Sequence, residues 1–352
     1  MSPTTAVDKS DQEEDVQFDE KAYESGGDAR LCPGCGHNPI TSALKQAAYE
    51  LQIPPEELNV VGGIGCSGKT IAEVESYAIH TLHGCATPVA IGANLANPDQ
   101  TTAVISGDGD SWAIGAGKAV ALMRTNLDMV YICENNGTYG LTKGQFSPTT
   151  EEDSPNKYGQ TSGIPPVDGV NIALSSGATF VAKGFSANRQ LLVEQIKAGI
   201  LHDGLAYIDV MSPCVKFNDH DGSHHSYKYG AQHQEQLPDF SMVNVEEYYP
   251  DEEEMDTDKL TVENFGQRFR LQFENIEEHP EYDPTDKLNA QNLWNKKREQ
   301  GKIPLGLLYV NEDRAPHHER YYDEGDTHLV DQDPENMRPS EDEFDEILDQ
   351  YS

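Results

Sequence analysis

Long apolar runs are missing. Nowhere in the 352 residues is there a stretch of the roughly 20 apolar side chains that a bilayer-spanning helix requires, so no membrane association is expected. Basic residues are scarce: 25 Lys and Arg stand against 61 Asp and Glu, a formal net charge of −36. A surface of that sign repels phosphate backbones, and a nucleic-acid partner is not expected. The shortage is global, since residues 1–235 alone hold 29 acids against 14 bases. Such a composition suits a halophilic protein kept soluble in concentrated salt. Met1–Glu20 lacks the basic start and apolar stretch of a secretory signal and reads as an acidic, disordered lead-in to a cytoplasmic protein. Cysteine is sparse too. Six in a leaderless chain argue against disulfides and for metal or redox chemistry.

What is present alternates in the manner of an α/β domain over residues 21–235. Helices are predicted over Asn38–Leu51, Trp112–Arg124 and Asn188–Leu201. Strands are predicted at Asn59–Gly63, Thr101–Ser106, Leu127–Cys133, Ala178–Ala182 and Leu205–Met211. Buried apolar strands alternating with helices imply a doubly wound parallel sheet with right-handed crossovers. Residues 236–352 hold 32 of the 61 acids, with runs such as Asp251-Glu-Glu-Glu and Glu341-Asp-Glu. This stretch reads as an extended, solvated acidic extension, with one amphipathic helix predicted over Val262–Phe273.

The unusual residues fall in a pattern. Gly63-Ile-Gly-Cys66, Gly107-Asp-Gly-Asp110, Asn135-Asn-Gly-Thr138 and Ser212-Pro-Cys214 each follow a predicted strand. In an open parallel sheet, ligands bind at the carboxyl ends of the strands, so four motifs converge on one edge. Asp108 can offer a carboxylate, and Asn136, one strand–helix–strand unit later, an amide oxygen. A hard cation such as Mg2+ takes such oxygen ligands, and the flanking glycines let backbone N–H groups approach phosphate oxygens. Cys32-x-x-Cys35 taken alone is ambiguous among zinc, a thioredoxin-like dithiol and an iron–sulfur centre. Gly63–Thr70 also satisfies GxxxxGK[ST], the phosphate loop of nucleotide hydrolases. A cysteine inside that loop, and the lack of any role for Asn135-Asn136, argue against an ATPase.

The spacing from Gly107-Asp-Gly109 to Asn135-Asn136 resembles the cofactor-binding signature of thiamine-diphosphate enzymes. The fuller text around it, Asn135-Asn-Gly-Thr-Tyr-Gly-Leu-Thr-Lys-Gly-Gln-Phe-Ser-Pro-Thr149, is similar to the β subunit of 2-oxoacid:ferredoxin oxidoreductases. So are Cys32-Pro-Gly-Cys-Gly-His37, Gly63-Ile-Gly-Cys-Ser-Gly-Lys69 and His80-Thr-Leu-His-Gly84. The resemblance covers about residues 28–217 and not most of the acidic extension. It implies a thiamine-diphosphate-binding (PP-type) α/β domain with Mg2+ held by Asp108, Asn136 and the carbonyl of Thr138. It places Ile64, Gly65, Cys66, Ser67, His83, Gly109, Asp110, Gly140 and Leu141 around thiamine diphosphate. Lys143 matches a lysine that approaches the 2-oxoacid carboxylate, and Lys69 is a second candidate.

Cys32, Cys35, Cys66 and Cys214 fall where the family completes a [4Fe–4S] cluster, although spacing alone leaves a zinc site on the same four open. The implied activity is oxidative decarboxylation of a 2-oxoacid to acyl-coenzyme A and CO2, with electrons passed to ferredoxin. It needs an α (or fused γ–α) subunit, which supplies an activating glutamate, in a dimer of such pairs. Alternatives are a non-redox thiamine-diphosphate decarboxylase or synthase and a zinc-held interaction subunit. Two departures bear on substrate and partner contacts: Cys85 stands where arginine is common, and Asn94 where lysine is frequent. Cys85 and Cys133 read as ordinary buried cysteines, and His220, His224 and His225 as part of a solvated loop.

Overall fold

The glycine motifs punctuate apolar runs, and in the computed structural model each run before a motif is a strand. Residues 18–26, 30–244, 261–264, 267–317, 328–333 and 337–351 are described. In chain order the main elements are α1 (His37–Glu50), β1 (Leu58–Gly62), β2 (Tyr77–His80), α2 (Ala86–Ala96), β3 (Thr101–Gly107), α3 (Ala116–Thr125) and β4 (Met129–Asn135). A small hairpin follows, β5 (Thr138–Tyr139) with β6 (Gln145–Phe146), then α4 (Gly169–Ser176), β7 (Phe180–Phe185), α5 (Arg189–Ile200) and β8 (Leu205–Met211). After these come α6 (Tyr227–His233), β9 (Gln234–Gln236), β10 (Phe240–Asn244), β11 (Thr261–Asn264) and β12 (Gln267–Phe273). The last are α7 (Lys287–Glu299), β13 (Ile303–Val310) and α8 (Glu341–Asp349). Most predicted ends hold to within two residues; the strand predicted at Ala178–Ala182 lies a few residues later.

The central sheet runs β2-β1-β3-β4-β8-β7-β13-β9 and is parallel except that β13 lies antiparallel to β7. Both faces are covered, which is why β4 and β8 read as unbroken apolar runs rather than alternating ones. Within β4, Val130 and Ile132 enter one core with α1 and α5, while Met129, Tyr131 and Cys133 enter the other with α2, α3, α4 and α7. Local chemistry sets the helix ends. Asp168 and Asn188 accept the Asn171 and Leu191 N–H groups as N-caps of α4 and α5, and Gly177, in the left-handed region, stops α4. From β1 the chain steps outward to β2 and returns to β3 on the opposite side. The topological switch point, where such sheets bind ligands, therefore lies between the carboxyl ends of β1 and β3.

The acidic half departs from expectation. Lys287–Val310 is no solvated extension: α7 packs Ala290, Leu293 and Trp294 onto the sheet, and β13 is an interior strand. Leu305, Leu307 and Leu308 are fully buried, each stabilising the fold by about 2 kcal/mol. Net charge hid them, because Ile-Pro-Leu-Gly-Leu-Leu-Tyr-Val is apolar inside an acidic neighbourhood. The helix predicted over Val262–Phe273 is instead the antiparallel pair β11–β12. Phe269, Leu271 and Phe273 alternate at the strand period, and β12 pairs with β10. Glu341-Asp-Glu opens the helix α8, with a capping box at Ser340 and Glu343. The Asp251 run and residues 1–17 lie outside the described residues. Among those described, no helix is long and apolar enough to cross a membrane.

Candidate functional site

At the switch point, Asp110 ties the strand ends together. Its Oδ1 accepts the N–H of Ile64 (3.2 Å) and of Gly84 (2.7 Å) and lies 2.5 Å from His83 Nδ1; its Oδ2 accepts the Ser106 hydroxyl at 2.7 Å. The carboxylate is buried and engaged with four protein partners, so its work is to hold His83 and the 63–67 loop in place. Nearby, Ser67 keeps a buried hydroxyl with no protein partner. It sits beside Gly107, where an added Cβ would lie 3.1 Å from Ser67 Oγ. An orphaned hydroxyl next to a glycine is what a diphosphate cradle requires. Gly109 has no room for a side chain, because Tyr139 packs directly over its Cα.

Asp108 is 2 % exposed. It accepts the hydroxyls of Ser147 and Thr149, the latter at 2.6 Å, and the backbone N–H of Asn136. Burial pushes its carboxyl up, and those three donors pull it back. Asn136 Oδ1 accepts the Thr138 N–H at 2.9 Å, which folds the loop back on itself. Asn135 accepts the Thr149 hydroxyl (2.9 Å) and reaches Asp209, itself ion-paired with Lys183. The predicted trio of Asp108, Asn136 and Thr138 is thus gathered, buried and braced, and an arriving cation would offset the burial of Asp108. Ser147, Thr149 and Asp209 escaped sequence reasoning. The Ser-Pro-Thr after the hairpin was the available signal.

The four cysteines come from separate segments: before α1, after β1 and after β8. Cys32, Cys35, Cys66 and Cys214 line one cavity of about 40 Å3, together with His37, Lys69, Asn136 and Gly140. Burial raises the Cys35 thiol to about 12 and Cys66 to about 11. Backbone N–H groups act in the opposite sense, from His37 on Cys35 and from Lys216, Phe217 and Asn218 on Cys214. Among the described residues, no three His, Cys, Asp or Glu side chains converge as ligands of one ion. Gly140 is the cradle, since a Cβ there would lie 3.4 Å from both Cys66 Sγ and Cys214 Sγ.

Lys69 lines this cavity, donates to the Arg30 carbonyl at 3.2 Å and favours the thiolate of Cys66. Lys143 stands apart at the exposed tip of the β5–β6 hairpin, with φ +83°, a conformation side chains rarely adopt. Leu141 is half exposed beside it. The phosphate-loop reading fails on geometry. No α-helix N-terminus follows β1, only a 3-10 turn over Ser67–Ala72, and the Thr70 hydroxyl is buried toward Glu134. Two bland readings also need correction. Cys85 is partly exposed and accepts from Lys118 Nζ at 3.1 Å. His225 is buried rather than solvated, with burial pushing it down to about 3, while His224 stacks on Tyr229. Asn94 is buried, donating to the Asp128 carbonyl, which makes it a packing residue. Cys133 is fully buried as expected.

Fold and site together define an α/β subunit of the thiamine-diphosphate-binding class, and residues 63–210 match the thiamine pyrophosphate enzyme C-terminal TPP binding domain. The chain is 35% identical over 316 residues to the 2-oxoacid:ferredoxin oxidoreductase subunit beta of Saccharolobus solfataricus, covering 85% of this chain and 87% of that one. It is 46% identical over 191 residues to the subunit of that name from a Sulfolobus species, 53% of this chain and 63% of that protein. The solved 2-oxoglutarate:ferredoxin oxidoreductase from Magnetococcus marinus, with 2-oxoglutarate, coenzyme A and succinyl-CoA bound, superposes with a TM-score of 0.70. That match, at 29% identity, covers 92% of this chain and 97% of that one. The chain belongs to the family of 2-oxoacid:ferredoxin oxidoreductase β subunits.

Proposed function

We propose that the chain binds Mg2+–thiamine diphosphate at Asp108, Asn136 and Thr138 and carries a [4Fe–4S] cluster on Cys32, Cys35, Cys66 and Cys214. It would act as the electron-relaying subunit of an enzyme that converts a 2-oxoacid and coenzyme A to acyl-CoA and CO2, with ferredoxin as acceptor. The observation carrying this reading is a shared wall. Asn136, whose N–H reaches the Asp108 carboxylate, and Gly140 also line the four-cysteine cavity. A cation site and a thiol site joined by one short loop suit decarboxylation coupled to electron transfer better than decarboxylation alone. Four thiolates are the usual ligand set of such a cluster, and metal quantification separates it from a zinc ion on the same four.

When bound, thiamine diphosphate supplies the electron sink for loss of CO2. The protein's part is positional. Asp108 and Asn136 would anchor the cation, Asp110 orients His83 and the 63–67 loop, Gly109 makes room for Tyr139, and Gly140 keeps a side chain away from the sulfurs of Cys66 and Cys214. Lys143 is suited to meet a substrate carboxylate, being cationic, exposed and without a side-chain partner among the described residues. Lys69, beside Cys66, belongs to the cluster side. The rim of the site is apolar and open: Leu82 is 79 % exposed, Ile114 58 % and Leu141 50 %. Exposed apolar side chains around a reaction site call for a covering partner, and an α subunit fits that need.

The test is to co-express the chain with its α partner, purify the complex anaerobically in high salt, and quantify iron, acid-labile sulfide, zinc and thiamine diphosphate. About four irons and four sulfides per chain, lost in Cys66→Ser, are expected, with no turnover from the β chain alone. Zinc in place of iron would leave the thiamine-diphosphate site standing and remove the electron-relay role.

A further inference from the structure

We infer that His37 tunes the cysteine-held centre: its Nε2–H donates a hydrogen bond to a sulfur of the bound cluster and favours the reduced state. The inference rests on the four-cysteine reading above. His37 is 1 % exposed, lines the same cavity as the four thiols, and its Nε2 is buried without a protein partner. A buried ring nitrogen left unpaired is costly, so its partner is something the cavity holds.

The other ring nitrogen decides which one carries the proton. Nδ1 lies 2.6 Å from the hydroxyl of Ser212, which is fully buried and has no other side-chain hydrogen bond among the described residues. Glu134 Oε2 stands 3.4 Å from the same nitrogen and makes no hydrogen bond to it. Were Nδ1 to donate to Ser212, the hydroxyl proton would be stranded and the Nε2 lone pair would face sulfur ligands that offer only lone pairs. With Ser212 donating to Nδ1, the proton sits on Nε2 and points at acceptors. Ser212 therefore fixes the tautomer, in the way outer partners orient metal-site histidines.

The other donors near the sulfurs are backbone N–H groups, from His37 on Cys35 and from residues 216–218 on Cys214, and the Lys69 ammonium beside Cys66. The His37 ring is the fully buried side-chain donor that a substitution can remove without moving the main chain. Hydrogen bonds to cluster sulfurs stabilise the extra negative charge of the reduced state and raise the reduction potential.

The experiment is an EPR-monitored redox titration of the anaerobic αβ complex, with iron and sulfide measured on each sample. His37→Leu with full iron should titrate at a more negative potential, on the order of tenfold in the reduction equilibrium, or about 59 mV for one electron. His37→Gln, which keeps an N–H, should recover part of the shift. An unchanged potential in the iron-replete Leu variant overturns the assignment. Should that variant lose its iron, pulsed EPR of the wild-type complex with histidine 15N-labelled at the ring nitrogens only decides, since the His37 main-chain N–H also approaches Cys35: a ring-nitrogen coupling to the reduced cluster is expected, and its absence overturns the proposal. A wild-type complex with neither iron nor sulfide would overturn the cluster reading first, and this inference with it.

Discussion

Asp108 has its charge opposed by burial and defended by only three hydrogen bonds, an environment that the proposed cation would complete. Asp108→Asn should weaken Mg2+-dependent thiamine diphosphate binding by roughly 100-fold or more, since even the loss of an outer-shell partner of a metal ligand costs about 10- to 100-fold. Isothermal titration with the cofactor measures this, and the apo melting temperature should fall little or not at all. His202 shows the opposite economy. Burial pushes it down to about 4, and its Nε2 lies 2.7 Å from Thr179 Oγ1. An unfolded histidine titrates near 6.5, so below that pH the unfolded chain binds the proton that the folded one refuses. The stability His202 contributes is complete above pH 6.5 and falls by about 3 kcal/mol on the way down to pH 4. Urea melts across that window should show a shallower acid slope in His202→Gln than in the wild type. At this scale the sequence was informative wherever local text carried the chemistry, as in Asp108, Asn136 and the four cysteines. It was silent on Asp110 as a brace of Ile64, His83 and Gly84, and on Ser212 and Glu134 near His37, because those partners lie 26 to 175 positions apart.

The loops after β1, β3, β4 and β8 were foreseeable as a group, since each begins with small or amide residues directly after an apolar run. The hairpin β5–β6 does the most with the fewest residues, placing Asn136 and Gly140 against the thiols. Gly140→Ala should fold normally, because the added methyl makes only close van der Waals contact with two sulfurs. It should nonetheless reduce iron per chain well below that of the wild type, by occupying space a cluster needs. Iron analysis beside a thermal melt separates the two effects. The elements that resisted reading were β10–β12 and β13, whose strand pattern is real but sits among charges. Phe269, Leu271 and Phe273 alternate with Arg270 and Gln272, a period of two that an acidic neighbourhood disguised.

For the molecule as a whole, −36 formal charges on 352 residues oppose compaction. Raising KCl from about 0.1 M to above 1 M shortens the screening length from about 10 Å to about 3 Å. The melting temperature should therefore climb by several degrees, as a melt series in KCl would record; a flat series would refute the halophilic reading. The same charge that keeps the chain soluble leaves apolar surface conspicuous where it remains, at Leu82, Ile114 and Leu141 beside the site.

The antiparallel strand β13 carries a consequence for how the molecule is made. Residues 303–310 fill the place between β7 and β9, so the sheet is incomplete until nearly nine-tenths of the chain has been synthesised. Until then the β7 edge offers unpaired N–H and C=O groups of the kind that recruit other strands. The half that carries the cysteines and Asp108 is thus finished by the acidic half. A nascent chain holds Asp108, Asn136 and the four cysteines well before it has the scaffold to keep them in place, so cofactor uptake at the proposed sites would wait on the arrival of a strand that carries none of them.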